Sequence, residues 1–211
     1  MKRIILLVFI LSTTNIQAQF DISTGMGISY FNAASMTDYI NVNFAGANQL
    51  KSFNSSVEFF IEGDYEINPS FQVGLEYALS LYSFNSNGAI AYYDFSVNFH
   101  KPTLLAYYVI PGKGYKFKFG GGLGYRSAQV TEKIGTDREY SSSGVGLVLR
   151  AQGITALSEN FFAMIGADAR YDYNGEPKDG ETYIINGLDD SYVNLNLISV
   201  AFKIGVVYFI D

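Results

Sequence analysis

The pattern that most restricts this chain is an apolar alternation of period two that recurs along nearly its whole length. Between Phe71 and Leu81, the residues Phe71, Val73, Leu75, Tyr77, Leu79 and Leu81 point one way, and Gln72, Gly74, Glu76, Ala78 and Ser80 the other. Alternate side chains of a strand leave opposite faces, so this segment reads as a strand with one apolar face. Tyr115 to Arg126 repeats the design: Tyr115, Phe117, Phe119, Leu123 and Tyr125 oppose Lys116, Lys118, Gly120, Gly122, Gly124 and Arg126. Val57, Phe59, Ile61 and Tyr65 alternate with Glu58, Phe60, Glu62 and Asp64, and the run from Lys203 to Ile210 closes the chain in the same way. No segment shows a convincing helical period.

Eight such segments are expected, at about 20–30, 54–67, 70–84, 91–110, 114–128, 142–157, 160–173 and 191–210. Their connections alternate in length. Asn68-Pro69, Pro111-Gly112-Lys113 and Ser158-Glu159-Asn160 are tight turns, whereas 31–53, 85–90, 129–141 and 174–190 are longer and polar. Short turns at one end and long loops at the other describe an all-β, eight-stranded antiparallel up-and-down transmembrane barrel with both termini periplasmic. A ten-stranded barrel that uses 31–53 as a further hairpin is the alternative. Ile40, Val42 and Phe44 alternate with Asn41 and Asn43 there, which predicts a short external strand. Pro102 is expected at a bulge or near a strand end, and the last strand is expected to bulge near Leu197-Ile198.

The first 18 residues follow a secretory plan: Lys2 and Arg3, an apolar core from Ile4 to Leu11, and a cleavage site at Ile16-Gln17-Ala18. That core is too short to cross a membrane as a helix, which takes about 20 residues. The expected organisation is therefore a leader over 1–18 and one barrel domain over 19–211. Without the leader, 12 basic residues face 20 acidic ones, a formal charge of −8. An acidic chain is a poor nucleic-acid binder. The absence of Cys rules out a disulfide framework or a lipid-anchoring cysteine, and with a single His leaves few transition-metal ligands. No cofactor is expected.

Alternation alone does not distinguish a membrane barrel from a soluble barrel or sandwich. The polar face does, because it is mainly Gly, Ser, Ala and Asn rather than the Lys, Glu and Thr of a water-facing exterior. Small residues suit the narrow interior of eight strands. Charged residues make up 16% of the chain against about 25% in soluble domains. Tyr30, Tyr65, Tyr115, Tyr125, Tyr171 and Tyr208 end apolar faces where interfacial girdles belong.

On Phe119-Gly120-Gly121-Gly122-Leu123-Gly124-Tyr125 and the closing strand, the chain resembles the small outer-membrane β-barrels of diderm bacteria, in the OmpA-like and OmpW-like range. It particularly resembles the outer-membrane β-barrel domain family of Bacteroidetes-type bacteria. The resemblance implies a place in the outer membrane, contact with its lipid and lipopolysaccharide, and insertion by the barrel-assembly machinery. It also implies an assembly signal in the last strand, onto which Lys203, Gly205 and Tyr208 map; the final aromatic of that signal is Ile210 here. No peptidoglycan-binding domain is expected after the barrel, so wall anchoring is not implied.

Three groups of residues are candidates for chemistry. Glu58, Glu62, Glu76, Asp94, Lys118, Arg126, Arg150, Asp168, Arg170 and Lys203 are expected to face inward and pair, since an unpaired buried charge is costly. Such a network either seals the lumen or lines a solute path. Asp94, Ser96 and His100 share a face of the fourth strand, but Ser96 and His100 stand about 13 Å apart at 3.3 Å per residue, too far for a nucleophile and its base. The acidic loop from Asp172 through Glu176, Asp179, Glu181, Asp189 and Asp190 misses the calcium-loop spacing.

Two functional classes follow. One is a structural or surface-interaction barrel with its lumen largely filled by side chains, whose loops meet an extracellular partner. The other is narrow or gated transport of small, apolar solutes. The chain is expected not to be an enzyme. A loop-lined apolar mouth would favour transport; a protruding hairpin would favour binding.

Overall fold

A computed structural model of the protein describes residues 20–45, 49–51, 54–87, 92–187 and 190–210. The leader therefore lies outside the described residues. The elements are β1 (Phe20–Asn32), α1 (Ala34–Asn43), β2 (Asn54–Asn68), β3 (Phe71–Asn87), β4 (Tyr92–Gly112), β5 (Tyr115–Ile134), β6 (Thr136–Ala156), β7 (Phe161–Asn174), β8 (Lys178–Asp179), β9 (Thr182–Tyr183) and β10 (Leu197–Ile210). Strands β1 to β7 pair with their neighbours in antiparallel order, β10 pairs with β7, and β1 pairs with both β2 and β10. The sheet thus closes as a ring of eight strands, which leaves no edge inside a bilayer.

The exterior explains why it must sit in lipid. Leu75, Leu104, Leu123, Leu149, Ile165 and Ile204 are 59–70% exposed, an arrangement water would penalise and hydrocarbon does not. Tyrosines bound this belt, with Tyr65, Tyr115 and Tyr208 at the short-turn end and Tyr30, Tyr125 and Tyr171 at the other. Tyr115 and Tyr125 lie ten residues apart on β5. With a tilt of about 40° that is roughly 25 Å of height, the thickness of an outer-membrane belt.

Strands β3 to β6 continue well past the upper tyrosines, and there the two faces exchange chemistry. On β4, Tyr93, Phe95, Val97 and Phe99 are buried inside, while Asp94, Ser96, Asn98 and His100 face outward. On β5, Ala128, Val130 and Glu132 are buried, while Ser127, Gln129, Thr131 and Lys133 lie outside. The lower half of the barrel is apolar outside and charged within; the upper half is built like a water-soluble protein. Its interior is an apolar cluster of Phe31, Tyr82, Phe95, Val97, Val130 and Tyr140, covered by Met36, Tyr39 and Ile40 of α1 and by Ile184, Val193 and Leu195 of the last loop.

Several expectations fail here for identifiable reasons. Segment 31–53 carries a helix instead of an external strand, and Met36, Tyr39 and Ile40 share one face at the i, i+3, i+4 spacing. The long loop expected at 129–141 is strand up to a turn at Gly135, whose φ of +74° glycine adopts without strain. The last strand has no bulge: from Leu197 to Ile210 the register to β1 and β7 is unbroken, and Leu197 points inward beneath the outer cluster. Pro102 sits in mid-strand without a register shift. The β4–β5 ladder stops at His100↔Ser127 and resumes in step at Thr103↔Gly124, so the missing N–H costs a local gap only.

Candidate functional site

The barrel interior is lined by side chains, many of them long and charged, that the eight strands aim inward at alternate positions. Its centre is Arg150 of β6. Its Nε and Nη2 donate to Asp168 at 2.6 and 2.7 Å, Nη2 also to Glu76 at 2.5 Å, and Nη1 to Glu62 and, at 3.2 Å, to the Tyr107 hydroxyl. Arg170 reaches Glu76 and Asp168 at 2.7 Å each. Lys203 stands 2.8 Å from Glu58 and 2.9 Å from both Glu76 and Asp168. Every one of these side chains is 0–1% exposed, so each charge depends on its neighbours rather than on water.

Two smaller groups flank this centre. Towards the short turns, Lys118 bridges Asp64 at 2.7 Å and Asp21 at 3.2 Å. Phe60, Phe162, Met164, Val207 and Phe209 pack as an apolar inner cluster. Towards the outer end, Arg126 pairs with Asp172, and Lys101 lies between Glu58 at 3.4 Å and Asp172 at 3.7 Å. Gly146 makes the Arg126 pair sterically feasible. A Cβ there would stand 2.1 Å from Asp172 Oδ1 and 2.3 Å from Arg126 Nε.

The structure thus brings together Glu58, Glu62, Glu76, Lys118, Arg126, Arg150, Asp168, Arg170 and Lys203. Asp94 is the exception: it faces outward on the upper part of β4, across from Asn85 and Lys133. A polar residue marks the lumen only within lipid, and β4 has left the lipid by that point, so at Asp94 the alternation carries the opposite meaning. For the same reason Lys101, on the alternate face of β4, is a lumen residue that the polar pattern hides; Asp21, Asp64 and Asp172 complete the network. Asp172 also leaves the acidic loop for the interior, and Asp189 of that loop lies outside the described residues. Among the described residues, no group of three or more His, Asp or Glu side chains is placed to hold a metal.

The Asp94, Ser96 and His100 face is likewise exterior. His100 Nδ1 lies 2.6 Å from the Tyr77 hydroxyl, at the level where the outer face turns from apolar to polar. Of the residues mapped onto an assembly signal, Lys203 belongs to the ion network, Gly205 lies opposite Gly25, and Tyr208 packs its ring 5.0 Å from that of Phe161 on the lipid face.

The outer cap holds one acid of its own. Glu132, 4% exposed, accepts a 2.5 Å hydrogen bond from the Tyr39 hydroxyl and a longer one, 3.4 Å, from Tyr93. Burial, then the hydrogen bond to Glu132 and its charge, push the Tyr39 hydroxyl far above its ordinary pKa, so it stays a donor that ties α1 to β5.

No protein-family profile matches the sequence, and no curated protein is similar enough to count as a relative. Solved structures do match. The Ail attachment invasion locus protein of Yersinia pestis, in complex with the heparin analogue sucrose octasulfate, is 16% identical over 92% of this chain and all of its own, with a TM-score of 0.55. Neisserial surface protein A is 15% identical over 90% and 96%, with a TM-score of 0.53. A major outer-membrane protein of Thermus thermophilus is 13% identical over 92% and 99%, also at 0.53. This is the fold of the small outer-membrane β-barrels. In such a barrel the lipid belt and the aromatic girdles lie in the membrane, with the short turns on one side of it and the extended sheet beyond the other.

Proposed function

We propose that this outer-membrane barrel is a surface scaffold: an inert, ion-packed stem, exported by its leader over 1–18, that holds a soluble-type β-sheet outside the cell for interaction. The observation that carries this reading is the exchange of inner and outer chemistry above the upper tyrosines. A sheet that buries Phe95, Val97 and Val130 and exposes Ser96, Gln129 and Thr131 is made for water on its outside. A barrel used only to pass solutes gains nothing from that sheet. The buried ion pairs below, and α1 above, support a lumen largely filled by side chains. Eight strands leave little more room than side chains occupy, whereas aqueous channels take 16–18. Ail and Neisserial surface protein A, of like fold, are by their names attachment and surface proteins, which fits the same class of role. We assign no catalytic role, because Ser96 lies across from Ser83 and Thr131 while the His100 ring is engaged by Tyr77.

The test is conductance together with exposure. Purified barrel in planar bilayers should carry little or no steady current. On intact cells, a membrane-impermeant thiol reagent should label Thr131→Cys and leave Leu123→Cys and Glu76→Cys unlabelled. Large ohmic channels would replace the scaffold with the transport reading, and an unlabelled Thr131→Cys would remove the extracellular sheet.

A further inference from the structure

The outward face of the extended sheet is polar, but the last loop presents apolar rings to the same water. Beyond β9 the chain folds back as a hairpin over 184–193. The N–H of Val193 donates to the carbonyl of Ile184 at 2.9 Å, that of Asn186 to the carbonyl of Ser191 at 2.8 Å, and Ile185 pairs with Tyr192. Ile184 and Val193 are buried in the apolar cluster of the upper barrel, which fixes the hairpin from beneath. Alternation therefore turns Ile185 and Tyr192 outward, and each is 49% exposed. The Tyr192 ring lies 4.7 Å from the ring of Tyr183, which β9 supplies. Two tyrosines and an isoleucine thus form a patch that is already ordered, and tyrosines in such patches are where binding energy concentrates.

The surroundings of the rings select a partner. Lys178 Nζ stands 5.9 Å from the centre of the Tyr183 ring, so the chain's own cation occupies one ring and leaves Tyr192 open. The segment 174–194 holds five acidic residues and one Lys, and Glu176, Asp179, Glu181 and Asp190 are exposed. Among the described residues, no group of three or more such side chains is placed to hold a metal. The field of these carboxylates repels anionic head groups and attracts a partner that carries cations. Height excludes a girdle role. Lys178 pairs with Tyr183 and bridges to Ser141 of β6, which lies across from Gln129 of β5. Gln129 is four residues beyond Tyr125, about 13 Å along the strand above the aromatic girdle.

We propose that the Tyr183, Ile185 and Tyr192 patch binds an arginine-bearing segment of a basic extracellular polypeptide. The proposal rests on the reading that this sheet stands outside the membrane, and it names the class of partner. A guanidinium is flat, so it lies on the open Tyr192 ring while its edge N–H groups meet a carboxylate. The compact ammonium of a lysine does not make both contacts in that geometry. Asp190 and Glu181, each two residues from one of the rings, supply the carboxylates, and an apolar neighbour of the arginine packs on Ile185.

The chain has no Trp, so Tyr192→Trp keeps an aromatic ring in place and gives a single tryptophan signal. The full barrel carrying it, in phosphatidylcholine nanodiscs, is titrated with the end-blocked peptide Gly-Arg-Leu-Arg-Gly and with counterparts in which both Arg are Lys or Glu. Emission should change saturably with the Arg peptide, at a dissociation constant about tenfold below that of the Lys peptide, and should not change with the Glu peptide. Asp179→Asn, Glu181→Gln and Asp190→Asn together should weaken the Arg peptide about tenfold and remove most of its salt dependence. On the native chain, anisotropy of a dye-labelled Arg peptide should show about tenfold lower affinity after Tyr192→Ala, which guards against an effect of the inserted Trp. No saturable response, an equal response to the Arg and Glu peptides, or undiminished binding by the neutralised variant would overturn the proposal. An equal response to the Lys peptide would overturn the stacked guanidinium. Quenching of the tryptophan by brominated lipid in the absence of peptide would place the hairpin on the bilayer and overturn the polypeptide partner. Conductance and the labelling of Thr131→Cys depend on none of these outcomes, so a failed patch and a failed scaffold reading are told apart.

Discussion

Replacing Arg150 with Ala tests the idea that the stem is held together by paired buried charge. Arg150 serves three carboxylates at once, Glu62, Glu76 and Asp168, from a side chain with no exposed surface. The three are not left equally bare by its loss. Glu76 and Asp168 each keep Arg170 at 2.7 Å and Lys203 at 2.9 Å. Among the described residues, Glu62 keeps one hydrogen-bond donor, the Tyr107 hydroxyl 2.7 Å away. Breaking a buried pair costs about 3–5 kcal/mol because the surviving charge is uncompensated. One stranded carboxylate out of three places the expected loss near the lower end, about 3 kcal/mol. Adding Glu62→Gln to Arg150→Ala should recover part of that loss, since it removes the stranded charge. The assay is urea unfolding of the barrel refolded into lipid vesicles, followed by the shift in gel mobility between folded and unfolded forms. Lys178→Ala, in the exposed β8–β9 hairpin, is the control and should change stability by no more than about 0.5 kcal/mol. Equal unfolding midpoints for Arg150→Ala and Lys178→Ala would refute the reasoning and show that water, not pairing, supports these charges.

Gly146→Ala should destabilise the barrel by about 1–3 kcal/mol, because the new methyl falls where Arg126 and Asp172 meet; the same unfolding assay checks it, and an unchanged midpoint would mean the pair can move aside. Tyr39→Phe removes the donor that Glu132 relies on, and a bond to a charged group contributes about 1.5–3 kcal/mol. Amide exchange in α1 should therefore speed up about tenfold or more, with strands β7 and β10 unaffected. The Tyr39 hydroxyl has its folded pKa raised above the ordinary value of 10.0, so its contribution holds below about pH 10 and falls as pH rises beyond it. Exchange in α1 should accordingly accelerate above that pH in the native protein more than in Tyr39→Phe.

The sequence by itself determined the number of strands, their order and, along 57–65, 71–81 and 115–126, which face each side chain takes. A two-residue period fixes which residues share a face, and lipid outside a narrow lumen requires that the apolar face be the outer one. Leu75, Leu123, Glu76 and Arg126 could be placed on that argument alone. It also showed which end of the barrel carries the tight turns, because Asn68-Pro69 and Ser158-Glu159-Asn160 are too short to be anything else. Only the tertiary structure decided where the membrane ends. Period two is unchanged as β4 and β5 rise from hydrocarbon into water, but the meaning of its two faces reverses, and nothing local in Asp94 or His100 marks the crossing. The height of a residue depends on strand tilt and on the register of all eight strands, which are properties of the closed ring. The same holds for α1. Its Met36, Tyr39 and Ile40 spacing is helical, but a ten-residue helix is marginal alone. It exists because the extended sheet offers it an apolar surface, and that surface is assembled from β4, β5 and β6 together with a loop more than a hundred residues away in the chain.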